Sequence, residues 1–378
     1  MNLGLSEEQR LLRDSVERLV ADTSSIEERR RIAASTADES AASWKRYAEL
    51  GWLALPIAET HGGLGGGARD VAILMEAFGR GLVLSPYLST VVLGAGLIAE
   101  AGSEAQRATL LPSVASGDAR LAFAYAERGG RFDLGTVETH AERSGPDWVL
   151  NGHKIAVVDG PSAGQWIVSA RSDRGLGLFL VPAGTAGADM REHARLGGGR
   201  AGDLTLSNVT LPATARLGDG ADARPAIAAV VDRALGALCA EAVGMMDYLL
   251  HATVDYTKMR EQFGRPLSAN QVVRHRLADM AMACEEARAI TLVATLQADA
   301  PPRPRGRAAS GAKAKVGTCA RFVAEQAVQL HGAMGVTDEL DIGLYLRRVM
   351  MFETLFGGTA HHYRRRLALT DAPSEKVA

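Results

Sequence analysis

The chain has 378 residues, more than one hydrophobic core usually serves, so two or three domains are expected. Hydrophobic residues make up 47% and charged residues 23%, a balance that excludes a wholly disordered or collagen-like chain. A net charge of -2 supplies no overall basic field for nucleic acid or an anionic membrane surface.

Leu5, Leu11, Leu12, Val16 and Leu19 recur at helical spacing, with Glu7 and Glu8 early and Arg18 late as the helix dipole favours. This predicts an amphipathic helix over 5–21. The charged start, where a signal peptide needs an apolar stretch, predicts a cytoplasmic chain. No apolar run approaches the roughly 20 residues that span a bilayer. Further helical patterns cover 44–50, 70–78, 89–99 and 103–116. The glycines between 62 and 67 lack the lysine and following hydroxyl of a phosphate-binding loop, and read as a tight inter-helix loop.

The pattern changes near 120. Short β-rich segments at 121–125, 136–141, 147–150, 153–158, 166–170, 177–181 and 203–209 predict a small antiparallel barrel or sandwich, with Asn151-Gly152 as a hairpin turn. Gly160-Pro161-Ser162-Ala163-Gly164 spells a nucleophile elbow, but an elbow needs a helix leaving it. Strands flank this one on both sides, so it reads as a turn. From 226 the helical period returns over 226–259, 269–297, 311–331 and 340–368, which predicts a four-helix bundle. Pro301, Pro302 and Pro304 mark a polar loop over 301–306. The expected class is α+β multidomain, with a helical domain over 1–118, a β domain over 119–222 and a bundle over 223–378.

Three segments of the last third carry chemistry. Arg260-Glu261-Gln262-Phe263-Gly264 places a guanidinium, an amide and an aromatic ring together, a set suited to a phosphate or a flat heterocycle. Gln329-Leu330-His331-Gly332 ends a helix on a glycine that permits close backbone approach to a ligand. Phe356-Gly357-Gly358-Thr359-Ala360 breaks the pattern before a last helix, whose N-terminal amides, with Thr359, suit an anion. No metal site is expected: adjacent His361 and His362 point about 100° apart, and Cys239, Cys284 and Cys319 match no ligand spacing and read as buried thiols.

Taken in order, these segments resemble the acyl-CoA dehydrogenase family over essentially the whole chain. The other marks are Glu59-Thr60-His61-Gly62-Gly63-Leu64-Gly65, Gly102-Ser103-Glu104-Ala105-Gln106, Leu111-Pro112 with Ser116-Gly117, and Asn151-Gly152-His153-Lys154. The resemblance implies an N-terminal helical domain, a middle antiparallel β-barrel and a C-terminal four-helix bundle. It also implies FAD as cofactor, α,β-desaturation of an acyl-CoA substrate, and electron-transferring flavoprotein or a similar acceptor. Ala240 to Gly244, with Thr354-Leu355-Phe356-Gly357 and His361-His362, is similar to the small subunits of pimeloyl-CoA dehydrogenase and related bacterial heteromeric enzymes. In this family, the resemblance implies, Arg260, Gln262, Phe263, Gln329, Gly332 and Thr359 bind the cofactor, the first five reaching the FAD of a neighbouring subunit.

The reaction needs a carboxylate base for the acidified α-proton. The family's usual base falls, by this resemblance, at Gly357, and its alternative position at Ala234; both are vacant. The nearest carboxylate is Asp232, which two helical steps turn to nearly the opposite face unless the register shifts. Glu353 reads as a core-edge or salt-bridge residue. In the middle domain, the run from Ala126 to Asp133 and Ala156-Val157-Val158 stand where the family carries flavin-facing hydroxyls and an indole. The leading expectation is one subunit of a heterotetramer with a homologous large subunit that supplies the glutamate. The alternatives are a homo-oligomer using Asp232 as base, and a catalytically silent scaffold.

Overall fold

The computed structural model describes residues 4–23, 25, 27–29, 31, 41–220, 222–337 and 339–371. The chain divides into two compact units, each discontinuous in sequence. A sheet unit comprises Ile32–Gly67 and Leu84–Ala234, and a bundle unit comprises Met1–Arg31, Ala68–Val83 and Leu235–Ala378.

The sheet unit holds α2 (Ala41–Glu49), α4 (Gly96–Ala101) and α5 (Glu104–Ala115). A capping box starts α5: Ser103 Oγ accepts from Gln106 N at 3.3 Å and Gln106 Oε1 accepts from Ser103 N at 2.8 Å. Its strands are β1 (Leu121–Ala124), β2 (His140–Ser144), β3 (Asp147–Val158), β4 (Gln165–Ser172), β5 (Gly175–Pro182), β6 (Ala188–Ala194) and β7 (Arg200–Leu211). They form one curled sheet in the order β1-β4-β2-β3-β7-β6, with β5 on β4. The expected β-barrel architecture is present as a curled half-barrel with four antiparallel pairings; it differs in that β1 and β2 both pair with β4 in parallel, and β5 and β6 end the sheet without pairing with each other. Inward residues alternate along the strands and build a core around Trp148, Phe179, Trp166, Leu150 and Leu204. Trp148 and Phe179 meet edge to face at 5.2 Å.

Asn151-Gly152 is not a hairpin turn. The turn lies six residues earlier, at Gly145-Pro146, where Ser144 pairs with Asp147, and β3 runs unbroken through Asn151 with a bulge between Leu150 and Gly152. Glycine is needed at 152 because a Cβ there would lie 2.4 Å from Thr139 Oγ1 and 2.7 Å from Thr139 Cα. Asn151 Oδ1 accepts from Asn208 N at 2.7 Å, a cross-strand bond rather than a turn contact. Strand β6 had no expected counterpart, since its sequence is polar and its residues are largely exposed at the sheet edge.

The bundle unit contains α1 (Glu7–Thr23) and α3 (Ala68–Arg80), together with most of α6 (Arg224–Met259). It continues with α7 (Gln271–Leu296), α8 (Pro302–His331), α9 (Ile342–Thr354) and α10 (Thr359–Asp371). Helices α3 and α6 cross at backbone contact. A Cβ on Gly79 would stand 1.8 Å from Glu241 O, and one on Gly244 1.9 Å from Glu76 O. The expected loop over 301–306 is instead the first turn of α8. Proline is tolerated there because the first turn's N–H groups have no helical acceptor. The fourth expected helix is two, broken between Thr354 and Thr359. All three cysteines are buried. No helix among the described residues is long and apolar enough to cross a membrane.

Candidate active site

Within the bundle unit, α6 ends at Met259 and the chain turns through a two-stranded hairpin, β8 (Glu261–Gln262) and β9 (Arg265–Pro266). Phe263 and Gly264 form its tip with φ of +53° and +75°. Phe263 is 101% exposed, and Arg260 and Gln262 are exposed beside it. An aromatic ring held wholly in solvent on a left-handed turn costs stability. Helix α8 ends at His331 against the base of the same hairpin: the Tyr256 and His331 rings stack at 4.3 Å, and Tyr256 OH donates to His331 O at 3.3 Å. Burial lowers the His331 pKa, and its Nδ1 lies 2.8 Å from Ala327 O. The structure therefore ties Arg260, Gln262 and Phe263 to Gln329 and Gly332. Gln329 is exposed, and Gly332, with φ +61°, has open space where a Cβ would stand.

The break before α10 is built differently. Lys313, fully buried in mid-α8, donates to Phe352 O at 2.7 Å and Gly357 O at 2.9 Å, with its Nζ 3.9 Å from the Phe352 ring centre. One ammonium thus clamps the end of α9 to the loop that follows. Burial lowers its pKa to about 8. Glu353 sits half-buried at the core edge, and its carboxylate accepts from Thr359 Oγ1 at 3.1 Å and Thr359 N at 3.4 Å, capping α10. The Thr359 hydroxyl is thereby engaged inside the fold. Gly317 makes room for this pair, since a Cβ there would lie 2.0 Å from Glu353 Oε1.

Gly357 adopts φ +112°, and a Cβ on it would lie 2.5 Å from His361 Cδ2 and 3.2 Å from His362 Nε2. The backbone at this expected base position is thus one that glycine alone adopts without strain, and an imidazole fills the adjoining space. His362 is buried, with Nε2 3.1 Å from Phe356 O and Nδ1 3.3 Å from Ser310 Oγ; the carbonyl requires the proton on Nε2. Burial, then the charge of Lys313 and the neighbouring His361 and Arg365, lower its pKa to about 3, so it is neutral. The other expected positions lie in the sheet unit, where Asp232 is 4% exposed on α6 and Ala234 is fully buried.

In the middle sheet, Glu127 turns inward from the loop after β1. Its carboxylate accepts from Lys154 Nζ at 2.6 Å, Thr139 Oγ1 at 2.6 Å and Thr139 N at 3.1 Å, and Lys154 also donates to Ser169 Oγ at 3.0 Å. Burial raises the Glu127 pKa, but the Lys154 and Thr139 hydrogen bonds outweigh it and hold the carboxylate below its usual range. Burial lowers Lys154 to about 8 against the pull of Glu127. The pair is charged at neutral pH and pins the segment that begins at Ala126. Arg128 and Arg131 are exposed on that loop, and Ser162 donates its hydroxyl to Asp159 O at 3.1 Å in a turn leading into β4.

Sequence reading missed Lys313 and the inward turn of Glu127. A lysine among Ala309, Ala312, Val316 and Ala320 on one helical face was the available signal for the first.

Comparison with known proteins agrees along the chain. The N-terminal, middle and C-terminal domains of acyl-CoA dehydrogenases match residues 6–118, 122–209 and 227–368. The chain is 30% identical to the probable acyl-CoA dehydrogenase YngJ of Bacillus subtilis, covering 93% of this chain and 95% of that protein. It is 31% identical to the human mitochondrial short-chain specific acyl-CoA dehydrogenase, over 86% of this chain and 81% of the relative. Among solved structures, a variant of the Tcur3481-Tcur3483 steroid ACAD is 31% identical with a TM-score of 0.88, covering 96% of this chain and 98% of that one. The ChsE4-ChsE5 complex of Mycobacterium tuberculosis is 26% identical with a TM-score of 0.90, covering 99% and 100%. With domain order, fold and relatives in accord, the chain belongs to the acyl-CoA dehydrogenase family, the FAD-dependent oxidoreductases that act on acyl-CoA thioesters.

Proposed function

We propose that the chain is one subunit of a heteromeric acyl-CoA dehydrogenase, lending Arg260, Gln262, Phe263, Gln329 and Gly332 to a flavin site completed by a homologous partner, which also supplies the catalytic carboxylate. The observation behind this reading is an asymmetry. The hairpin and the α8 terminus are gathered and solvent-facing, whereas residue 357 is a glycine in a left-handed conformation with an imidazole against it. A dinucleotide fits the first group: the Arg260 guanidinium forks onto phosphate oxygens, the Phe263 ring packs on a flat face, and Gly332 lets backbone approach. The Thr359 amide end of α10 adds a positive dipole, although its hydroxyl stays with Glu353. The middle sheet fits the isoalloxazine less well, because Ala126 and Val157 bring no hydrogen-bonding side chain. Bound FAD would supply the hydride acceptor for the substrate Cβ, with electron-transferring flavoprotein or a similar protein as the onward electron acceptor. That the ChsE4-ChsE5 structure is named as a complex of two chains supports a heteromer for this chain as well.

The test is the visible spectrum of the chain purified alone and with a co-expressed homologue. A colourless chain that becomes yellow in the assembly is expected, with flavin lost when Arg260→Ala and Phe263→Ala are combined. Unchanged flavin content in that variant overturns the lent-site reading. Asp232→Asn is expected to spare turnover of the assembled enzyme; turnover abolished with flavin intact would move the base to this chain.

A further inference from the structure

Segments 300–324 and 354–370, which supply most of α8 and α10, contain no aspartate or glutamate and carry nine lysines and arginines. Part of this charge is used inside the fold. Lys313 holds two backbone carbonyls, Lys315 pairs with Glu286 at 2.6 Å and Arg321 with Glu325 at 2.8 Å. Arg303 donates to the last carbonyls of α10, Arg305 to Ala300 O and Arg365 to Ser310 Oγ. Arg307, Arg364 and Arg366 are exposed and have no ion-pair partner among the described residues. Asp299 and Asp371 border these segments, fewer than those three arginines alone.

The same face is apolar between its cations. Each residue of a helix turns about 100°, so Tyr363, Arg364, Arg366 and Leu367 share an arc of about 160° on α10. Tyr363 and Leu367 are 53% and 60% exposed, and on α7 Val293 and Leu296 are 45% and 42% exposed. Between the helices lies an open depression of about 270 Å³, lined by Ile290, Val293, Gln297, Pro304, Arg307 and Arg366 and by no acid among the described residues. Arg366 reaches it across α8, where a Cβ on Gly311 would lie 2.5 Å from its Nη1. A protein surface mixes both signs of charge, whereas an anionic bilayer presents one. Cations without acids, set among exposed aliphatic and aromatic side chains, match the bilayer: the apolar groups enter the headgroup boundary and the guanidiniums meet lipid phosphates. We infer that this face binds the surface of an anionic phospholipid membrane, with one headgroup phosphate in the depression between Arg307 and Arg366. The overall charge of -2 conceals this local field. Gln271, beside the lent hairpin, and Leu296 end the 26-residue α7 about 39 Å apart, so the inference stands or falls independently of the proposed function.

Co-sedimentation of the full chain with phosphatidylglycerol vesicles tests it, with phosphatidylcholine vesicles as the uncharged control. Binding to the first and not the second is expected, weakening as salt screens the arginines. Arg307→Glu, Arg364→Glu and Arg366→Glu combined are expected to lower the partition coefficient about a hundredfold, since each arginine near an anionic surface contributes about fivefold. If the triple variant fails to fold, Arg364→Glu alone is expected to show one step of about fivefold. Tyr363→Ser with Leu367→Ser is expected to lower partitioning about tenfold while the salt dependence holds. Equal binding to both vesicle types, binding to neither, or affinity retained in a folded charge-reversal variant overturns the inference. So does displacement by inorganic phosphate at the same phosphorus concentration, which would reduce the depression to a bare phosphate pocket. Tighter binding of polyglutamate than of vesicles at equal charge concentration would assign the face to an acidic protein, and overturns it as well.

Discussion

Replacing Lys313 by methionine sets two opposed energies against each other. The ammonium satisfies two buried carbonyls, and leaving each of them unpaired costs about 1–3 kcal/mol. Against this, burial lowers its pKa from 10.5 to about 8, so holding the charge below pH 8 costs the folded chain about 3 kcal/mol relative to the unfolded one. At neutral pH the two nearly offset, and Lys313→Met is expected to change stability little while loosening the loop after α9. Raising the pH separates them. Between about 8 and 10.5 the unfolded chain keeps a lysine proton that the folded chain has released, so wild-type stability rises with pH through this group. The gain approaches 3 kcal/mol by the top of that window, and the methionine variant lacks it. Urea denaturation of both proteins below and above the window measures the difference, and the comparison cancels every other group titrating there, Lys154 included. Equal pH dependence in the two proteins would refute a buried, depressed lysine at 313. Hydrogen exchange over 355–358 should quicken in the variant, as the clamp on the Gly357 carbonyl is gone.

Three further substitutions probe other features. Gly357→Glu, which restores the family's usual residue, is expected to cost about 1–3 kcal/mol through the left-handed backbone alone, and more through His361. Adding His361→Ala should return the second part; a thermal midpoint untouched by the single change would contradict the geometry. Glu127→Gln strands Lys154 as a buried charge and is expected to cost about 3–5 kcal/mol, whereas Glu127→Gln with Lys154→Met should cost less than the two singles summed. Simple additivity in denaturant titrations would show that the two residues do not act as a pair. Gly244→Ala drives a methyl into Glu76 O and should destabilise by about 1–3 kcal/mol or more, read as a drop in the denaturant midpoint. An unchanged midpoint would mean that α3 and α6 are not held at backbone contact.

Much of the fold was legible because it rests on local periodicity. Leu5 through Leu19 announced α1, and the apolar period over 103–116 announced α5, whose capping box the structure then shows at Ser103 and Gln106. What escaped depends on partners distant in sequence. Asn151-Gly152 has the composition of a hairpin turn, but the close approach of Thr139 makes that glycine a bulge within one long strand. The prolines at 302 and 304 read as loop residues, although helix first turns accept them. In the candidate site, Arg260 to Phe263 and Gln329 to Gly332 were visible as segments; the Tyr256–His331 stack that joins them was not, because each ring is ordinary in its own helix. The capping role of Glu353 was hidden for the same reason: it depends on the turn that brings Thr359 back over Gly317.

The interleaving of the two units has a consequence for biosynthesis. Helices α1 and α3 leave the ribosome with the first quarter of the chain, yet the surface of α3 that receives Glu241 belongs to a unit completed only by the stretch from Leu235 onward. The entire sheet is translated in between. During that interval Val71, Leu74, Met75 and Phe78, all buried in the finished protein, have no bundle to pack against. The bundle unit therefore assembles late, on release of the last third, while the sheet becomes available first. The nascent chain thus offers chaperones a defined target in the apolar face of α3, and truncation before Glu241 removes the α6 backbone that Gly79 packs against.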